Sequence, residues 1–349
     1  MSNADVAMAD ATVYARDSRL AVCPLCQRPG AVHEFTSRDR IHGIPGDFAI
    51  HHCLGCNAYF IQPWLDAEGL ARFYPQEYGR YRHGESLNKK GYQGWQRFIL
   101  ENHYGYPNRD GRSSNPLMRL AAAVCVRFTA KEVLPYRGSG RILDIGCGAG
   151  GYLYRLRQWG WETYGVEPSQ TGTLQAQKLG LAVRQGTLEE AGFAGNFFDV
   201  VRMSNVLEHL PDPKHTLGEI QRVLKPDGLV YLTVPNTSSL VFRLFRENWY
   251  ALETPRHVIS YSPKTLQVLA QATGFEVVRQ DFTAGPFNLV RSLRYFFDEN
   301  AGDYPAWLVN FPWQRSKLFR RLLKPLLFFV DRLGYGDFLH ATLRKSREN

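Results

Sequence analysis

From about residue 136 onward, the apolar positions of the chain alternate between two periods. Short aliphatic runs over 141–145, 162–166, 181–184, 199–203, 228–234 and 275–281 read as buried strands. Between them, 151–159, 170–179, 214–224 and 263–273 carry apolar residues at helical spacing, the last opened by Ser262 as N-cap. Strands alternating with helices predict an α/β fold: a doubly wound, mostly parallel sheet with ligands beyond the carboxyl ends of its strands. Helical spacing also runs over 117–134, ending before Pro135. A last strand is expected over 337–343, after an insertion of about 285–336.

The first strand of this series runs straight into Asp144-Ile145-Gly146-Cys147-Gly148-Ala149-Gly150-Gly151. Glycines suit a turn in which the backbone must bend sharply and approach a ligand with no Cβ in the way. The second strand ends in Glu167, about 20 residues on, where a carboxylate would grip ribose hydroxyls. The spacing is not the GxGxxG of dinucleotide binders.

Residues 1–20 are small, polar and without periodicity, which predicts a loose tail. Cys23-Pro24-Leu25-Cys26 and Cys53-Leu54-Gly55-Cys56 follow, two CxxC knuckles at tetrahedral zinc spacing. The expectation is a structural zinc ribbon on Cys23, Cys26, Cys53 and Cys56, with short strands over 31–35 and 48–52. Substitution of a cysteine by His33, His51 or His52 is the competing arrangement.

Leu143-Asp144-Ile145-Gly146-Cys147-Gly148-Ala149-Gly150 resembles the first motif of class I S-adenosylmethionine (SAM)-dependent methyltransferases. The resemblance continues through Val166-Glu167-Pro168-Ser169, Phe198-Asp199-Val200-Val201, Asn205-Val206-Leu207-Glu208-His209-Leu210-Pro211-Asp212-Pro213 and Leu224-Lys225-Pro226-Asp227-Gly228-Leu229. It implies a Rossmann-like, seven-stranded methyltransferase sheet whose last strand fills an antiparallel place at the sheet edge. SAM would then contact Asp144, Gly146, Gly148, Gly150, Glu167 and Asn205, with Asp144 orienting the methionine end. Thr187 and Leu188 occupy the usual adenine-contacting place, without the Asp that many relatives carry there. His209 is similar to a general base of natural-product O-methyltransferases, and His257 to a recurring acceptor-loop histidine, so both are expected as catalytic residues, one or the other assisting deprotonation; beside them, Arg256 could meet a substrate phosphate or carboxylate. A histidine that only fixes its loop, or a metal at Glu208 and His209, are the competing readings. Tyr59-Phe60-Ile61-Gln62-Pro63 and Phe73-Tyr74-Pro75-Gln76-Glu77-Tyr78 resemble the continuation of a CxxC ribbon in bacterial methyltransferases of glycan and natural-product pathways.

The resulting division is a tail (1–20), zinc ribbon (21–62), linker and helical cover (63–135), SAM-binding core (136–284), helical insertion (285–336), and edge strand with tail (337–349). Aromatics interleave with arginines over 79–115, a pattern suited to stacking on sugars or bases, or to packing on the core. In the insertion, Lys and Arg mix with Leu and Phe over 315–330 at helical spacing, with Pro325 expected to kink or split the helix. Such a helix is either a lid or a membrane-surface element. A net charge of +9 favours an anionic partner without choosing among nucleic acid, lipid surface and phosphorylated substrate. Residues 1–10 show no secretory pattern, no stretch approaches a membrane span, and four of six cysteines are in CxxC pairs, so a reducing cytoplasm is expected, at most peripheral to the inner membrane face. The reading is O-methylation of a small-molecule, glycan or lipid-linked acceptor. The rivals are an rRNA methyltransferase and a non-catalytic SAM- or nucleic-acid-binding protein.

Overall fold

The structure, a computed structural model, describes residues 21–74, 94–108, 115–126, 133–311 and 316–346. The expected tail lies outside the described residues, as do most of the aromatic and arginine-rich stretch, Tyr78, and the end of the helix expected over 117–134. In chain order the elements are β1 (Val32–Arg38), β2 (Asp47–His52), β3 (Tyr59–Gln62), α1 (Ala67–Ala71), α2 (Trp95–Asn102), α3 (Pro116–Val126), β4 (Arg141–Ile145), α4 (Gly151–Arg157), β5 (Glu162–Glu167) and α5 (Gln170–Lys178). There follow β6 (Ala182–Gln185), β7 (Phe198–Ser204), α6 (Pro213–Val223), β8 (Leu224–Pro235), α7 (Leu240–Phe245), β9 (Ile259–Ser260), α8 (Pro263–Ala272), β10 (Phe275–Thr283), α9 (Pro286–Glu299), α10 (Ala306–Val309), α11 (Lys317–Arg332) and β11 (Phe338–Lys345).

The main sheet has seven strands in the order β10-β11-β8-β7-β4-β5-β6. Strand β4 lies parallel to β5 and to β7, and β5 to β6. The expected α/β winding is thus present. Strand β11 pairs antiparallel with β10 but sits between β10 and β8, not at the edge. The chain entering β11 explains that placement: Asn236, just past β8, donates its backbone N–H to Asp337 O and its side-chain amide to Gly336 O, both at 2.8 Å.

Two compact units result. One joins Glu77–Met203 to Glu219–Val230; the other joins Met1–Gln76, Ser204–Gly218 and Tyr231–Asn349. In the first, Ile142, Leu143, Val200 and Val201 are fully buried. Asp199, the second residue of β7, ties three strands together, accepting from Lys225 Nζ (2.6 Å), Ser139 Oγ (2.8 Å) and Arg141 N–H (2.9 Å).

The second unit contains a four-stranded sheet, β1-β2-β3-β9. Sequence patterning anticipated β1 and β2; β3 and β9 were not legible as strands. Thr265 Oγ1 donates to Cys56 O (3.0 Å) and Thr254 Oγ1 to Ser37 Oγ (3.1 Å), so the cysteine-bearing sheet and the segment after β8 form one packed body. Helix α11 runs unbroken through Pro325, against the expected split. A proline removes one backbone donor, and the apolar residues on either side keep packing inward at helical spacing.

Candidate active site

After β4 the chain turns through Gly146, Gly148 and Gly150, whose φ angles of 68°, 54° and 77° are left-handed. Only glycine takes these values without strain. A Cβ at Gly150 would lie 2.5 Å from Leu181 Cδ1, whereas at Gly148 it would meet nothing within 4 Å. The turn is therefore tight behind and open in front. Glu167, 2% exposed, is held there by two amides: Gly148 N–H donates to Oε2 and Ser169 N–H to Oε1, both at 2.8 Å. A fixed carboxylate at the end of β5, beside an open glycine backbone, fits a ribose diol, since each carboxylate oxygen accepts more than one hydrogen bond.

Strand register sets Asp144 directly beside Arg202 of β7, and Arg202 Nη1 donates to Asp144 Oδ1 at 2.9 Å. The guanidinium also lies 4.0 Å from the centre of the Tyr152 ring. Asp144, 1% exposed, thus faces the cradle as half of an ion pair, an arrangement that sequence reasoning missed. Its one sequence signal is an arginine set between the apolar Val201 and Met203 of β7. Gly186 N–H donates to Glu167 O (3.1 Å), bringing the segment after β6 to the same cradle. There Leu188 is buried, and the Thr187 amide donates to Glu190 Oε2 at 2.7 Å.

The other unit assembles the histidines. Asn205, with φ of 54° and its N–H donated to Thr233 O (2.8 Å), turns the chain from β7 into the 3-10 turn Leu207–His209. His209 Nδ1 lies 3.0 Å from Arg256 O and 2.8 Å from Tyr74 Oη. A carbonyl only accepts, so the neutral ring carries its proton on Nδ1 and its basic lone pair on Nε2. His257 packs edge-on against His209 with centroids 4.5 Å apart. Its Nδ1 is 2.9 Å from Ala251 O, and its Nε2 faces Glu253 at 3.5 Å and Glu208 at 3.9 Å. His257 is buried and His209 half-buried. Donor atoms of Glu208, His209 and His257 all fall within 4.8 Å of one another.

Arg256 does not meet a substrate. It is fully buried, with Nη1 and Nη2 donating to both Asp39 oxygens at 2.9 and 2.8 Å. Planar guanidinium and carboxylate match bidentately, and that geometry uses the side chain inside the fold. Burial pushes the Asp39 carboxyl up, but Arg256 and the Ile41 and His42 amides together outweigh it and hold the group below its ordinary value.

The two cysteine knuckles repeat one turn: Gln27 N–H donates to Cys23 O and Asn57 N–H to Cys53 O, each residue left-handed. Sγ atoms of Cys23 and Cys56, and of Cys26 and Cys53, are 3.5 Å apart, and all four sulfurs lie within 4.8 Å. Tetrahedral Zn–S bonds of ~2.3 Å place sulfurs about 3.8 Å apart, so the donor set fits zinc. Among the described residues, His33, His51 and His52 belong to no such cluster.

A family profile described as a methyltransferase domain matches residues 118–280. A protein of Azorhizobium caulinodans named ubiquinone biosynthesis O-methyltransferase is 31% identical over 196 residues, 53% of this chain and 68% of that protein. One of the same name from Cereibacter sphaeroides is 31% identical over 157 residues, 42% of this chain and 63% of its own length. The chain therefore spans about two thirds of the curated relatives it matches. The structure of a SAM-dependent methyltransferase from Archaeoglobus fulgidus aligns with a TM-score of 0.42 at 21% identity, covering 65% of this chain and 93% of that one. With its glycine turn, strand order and relatives taken together, the chain belongs to the class I SAM-dependent methyltransferases.

Proposed function

We propose that the enzyme transfers the SAM methyl group to a hydroxyl oxygen of a small-molecule, glycan or lipid-linked acceptor, with His209 as general base. The single observation that carries this reading is the pair of polar groups at His209 Nδ1, which leaves Nε2 as the proton-accepting nitrogen. SAM, when bound, supplies a methyl group already activated on a sulfonium. The protein then needs only alignment and removal of one proton. The acceptor O–H gives its proton to His209 Nε2, the oxygen lone pair forms the new bond to the methyl carbon, and the S–CH3 bond electrons stay on sulfur. His257 is a positioning residue: its ring supports His209, and Glu208 and Glu253 orient it in turn. In the cradle, Glu167 would hold the ribose, the Asp144–Arg202 pair and the amides near Gly146 and Gly148 the methionine end. Gly150, Thr187, Leu188 and Asn205 would shape the rest. The relatives' printed name, O-methyltransferase, supports oxygen as the acceptor atom.

His209→Ala should lower turnover by about 10²–10⁴ while SAM affinity stays nearly unchanged. Wild-type turnover in that variant would return His209 to a loop-fixing role. Labelled methyl appearing in ribosomal RNA fragments would instead favour the rRNA reading. The four cysteines are proposed to hold one structural zinc, and metal analysis should find one zinc per chain in the wild type and none after Cys53→Ser with Cys56→Ser. Zinc retained in the double variant would show that the ligand set is wrong.

A further inference from the structure

Helix α11 carries two apolar stripes where packing needs one. Phe319, Leu323, Leu327 and Val330 recur at i, i+4, i+8 and i+11 and turn inward, Leu327 being 5% and Val330 7% exposed. One residue earlier in each turn stands a second stripe, Leu318, Leu322, Leu326, Phe329 and Leu333, every member at least 55% exposed. At 100° per residue the second stripe lies beside the first, and Lys317, Arg321, Lys324 and Arg332 occupy the arc beyond it. All four cations are exposed, and the helix contains one acid, Asp331. The patch continues onto α7, where Leu240 N–H donates to Tyr335 O, Arg243 covers the Tyr335 ring at 4.7 Å, and Leu244 is 62% exposed.

We infer that this face docks on an anionic phospholipid surface, the apolar stripe entering the acyl boundary and the cations meeting headgroups. Three features choose that occupant. Leucine and phenylalanine stripes of this size gain nothing from a phosphate backbone, which argues against nucleic acid. A second copy of this chain would use the same patch on both partners, setting basic helix against basic helix within a Debye length of ~10 Å. Among the described residues no helix is long and apolar enough to cross a membrane, so the face lies on the surface. This surface role is independent of which acceptor His209 serves.

The test is flotation of the full chain with vesicles of phosphatidylcholine alone and of phosphatidylcholine mixed with phosphatidylglycerol. Binding is expected to the mixed vesicles and to weaken as salt rises. Each cation near such a surface is worth about a fivefold factor, so Arg321→Gln with Lys324→Gln should lower binding about 30-fold. Leu322→Asp with Phe329→Asp should abolish it while melting temperature and SAM affinity hold, since these side chains are outside the core. Equal partitioning to neutral and mixed vesicles, or binding to neither, overturns the proposal. So does a concentration-dependent dimer that Leu322→Asp with Phe329→Asp dissolves, because the stripe then belongs to a second copy.

Discussion

The glycine cradle, proposed to hold the cofactor, and the histidine cluster are built by opposite means. In the cradle, backbone does the positioning: glycine conformations and main-chain amides fix Glu167, and Gly148 and Glu167 are only 19 residues apart in the chain. In the histidine cluster, side chains do it, over long separations: Tyr74 reaches His209 across 135 residues and Arg256 reaches Asp39 across 217. A site made of local backbone survives changes elsewhere in the molecule. One made of distant ion pairs inherits the stability of everything those pairs hold together.

That contrast can be broken at its strongest point first. Arg256→Met leaves Asp39 as a buried, uncompensated charge and should cost about 3–5 kcal/mol in urea unfolding, with SAM affinity retained. In the wild type this contribution is present at neutral pH and is lost as pH falls through the depressed Asp39 value. Adding Asp39→Asn should recover part of the loss; no loss in the single variant would show that the clasp does not organise the unit. Glu167→Ala sharpens the other side. Removing the carboxylate proposed to accept two ribose hydrogen bonds should weaken SAM binding by on the order of 2–4 kcal/mol, read by calorimetry, and should also lower urea stability because the Gly148 and Ser169 amides lose their acceptor. Unchanged affinity would remove Glu167 from the proposed cofactor site. The smallest effect is expected at Lys225→Met, about 1–2 kcal/mol, because Lys225 is partly exposed and Asp199 keeps two other donors. Burial pushes the Asp199 carboxyl up, but Lys225 and the other donors hold it below its ordinary value. The variant should therefore lose stability at a higher pH than the wild type on acidification.

How far each region was legible in the amino-acid order follows from the same separations. Asp144, the glycines and Glu167 sit in contiguous motifs, so their grouping is a property of one strand-turn-helix and the next strand. Arg202 escaped because its partner is set by β4–β7 register, which a linear pattern does not display. His209 and His257 were marked by motif order, yet nothing local joined His257 to Glu208, about 50 residues earlier in the chain, and Arg256 read as substrate-facing because its acid lies in the cysteine-bearing segment. The cysteines themselves were legible from spacing; that β9 extends their sheet was not, since two residues carry no period.

Strand β9 has a consequence for how the chain is made. Tyr59 and Phe60 of β3 pair with Ser260 and Ile259, near the far end of the catalytic region. At ~5–20 residues synthesised per second, the edge of β3 waits on the order of 10–40 s on the ribosome before its partner emerges. During that interval an apolar strand edge with unpaired amides is open to any other chain nearby. Capture of the proposed zinc by the knuckles would need only residues 23–56, so it would precede β9 and hold the early sheet in register while the rest of the enzyme is still being translated.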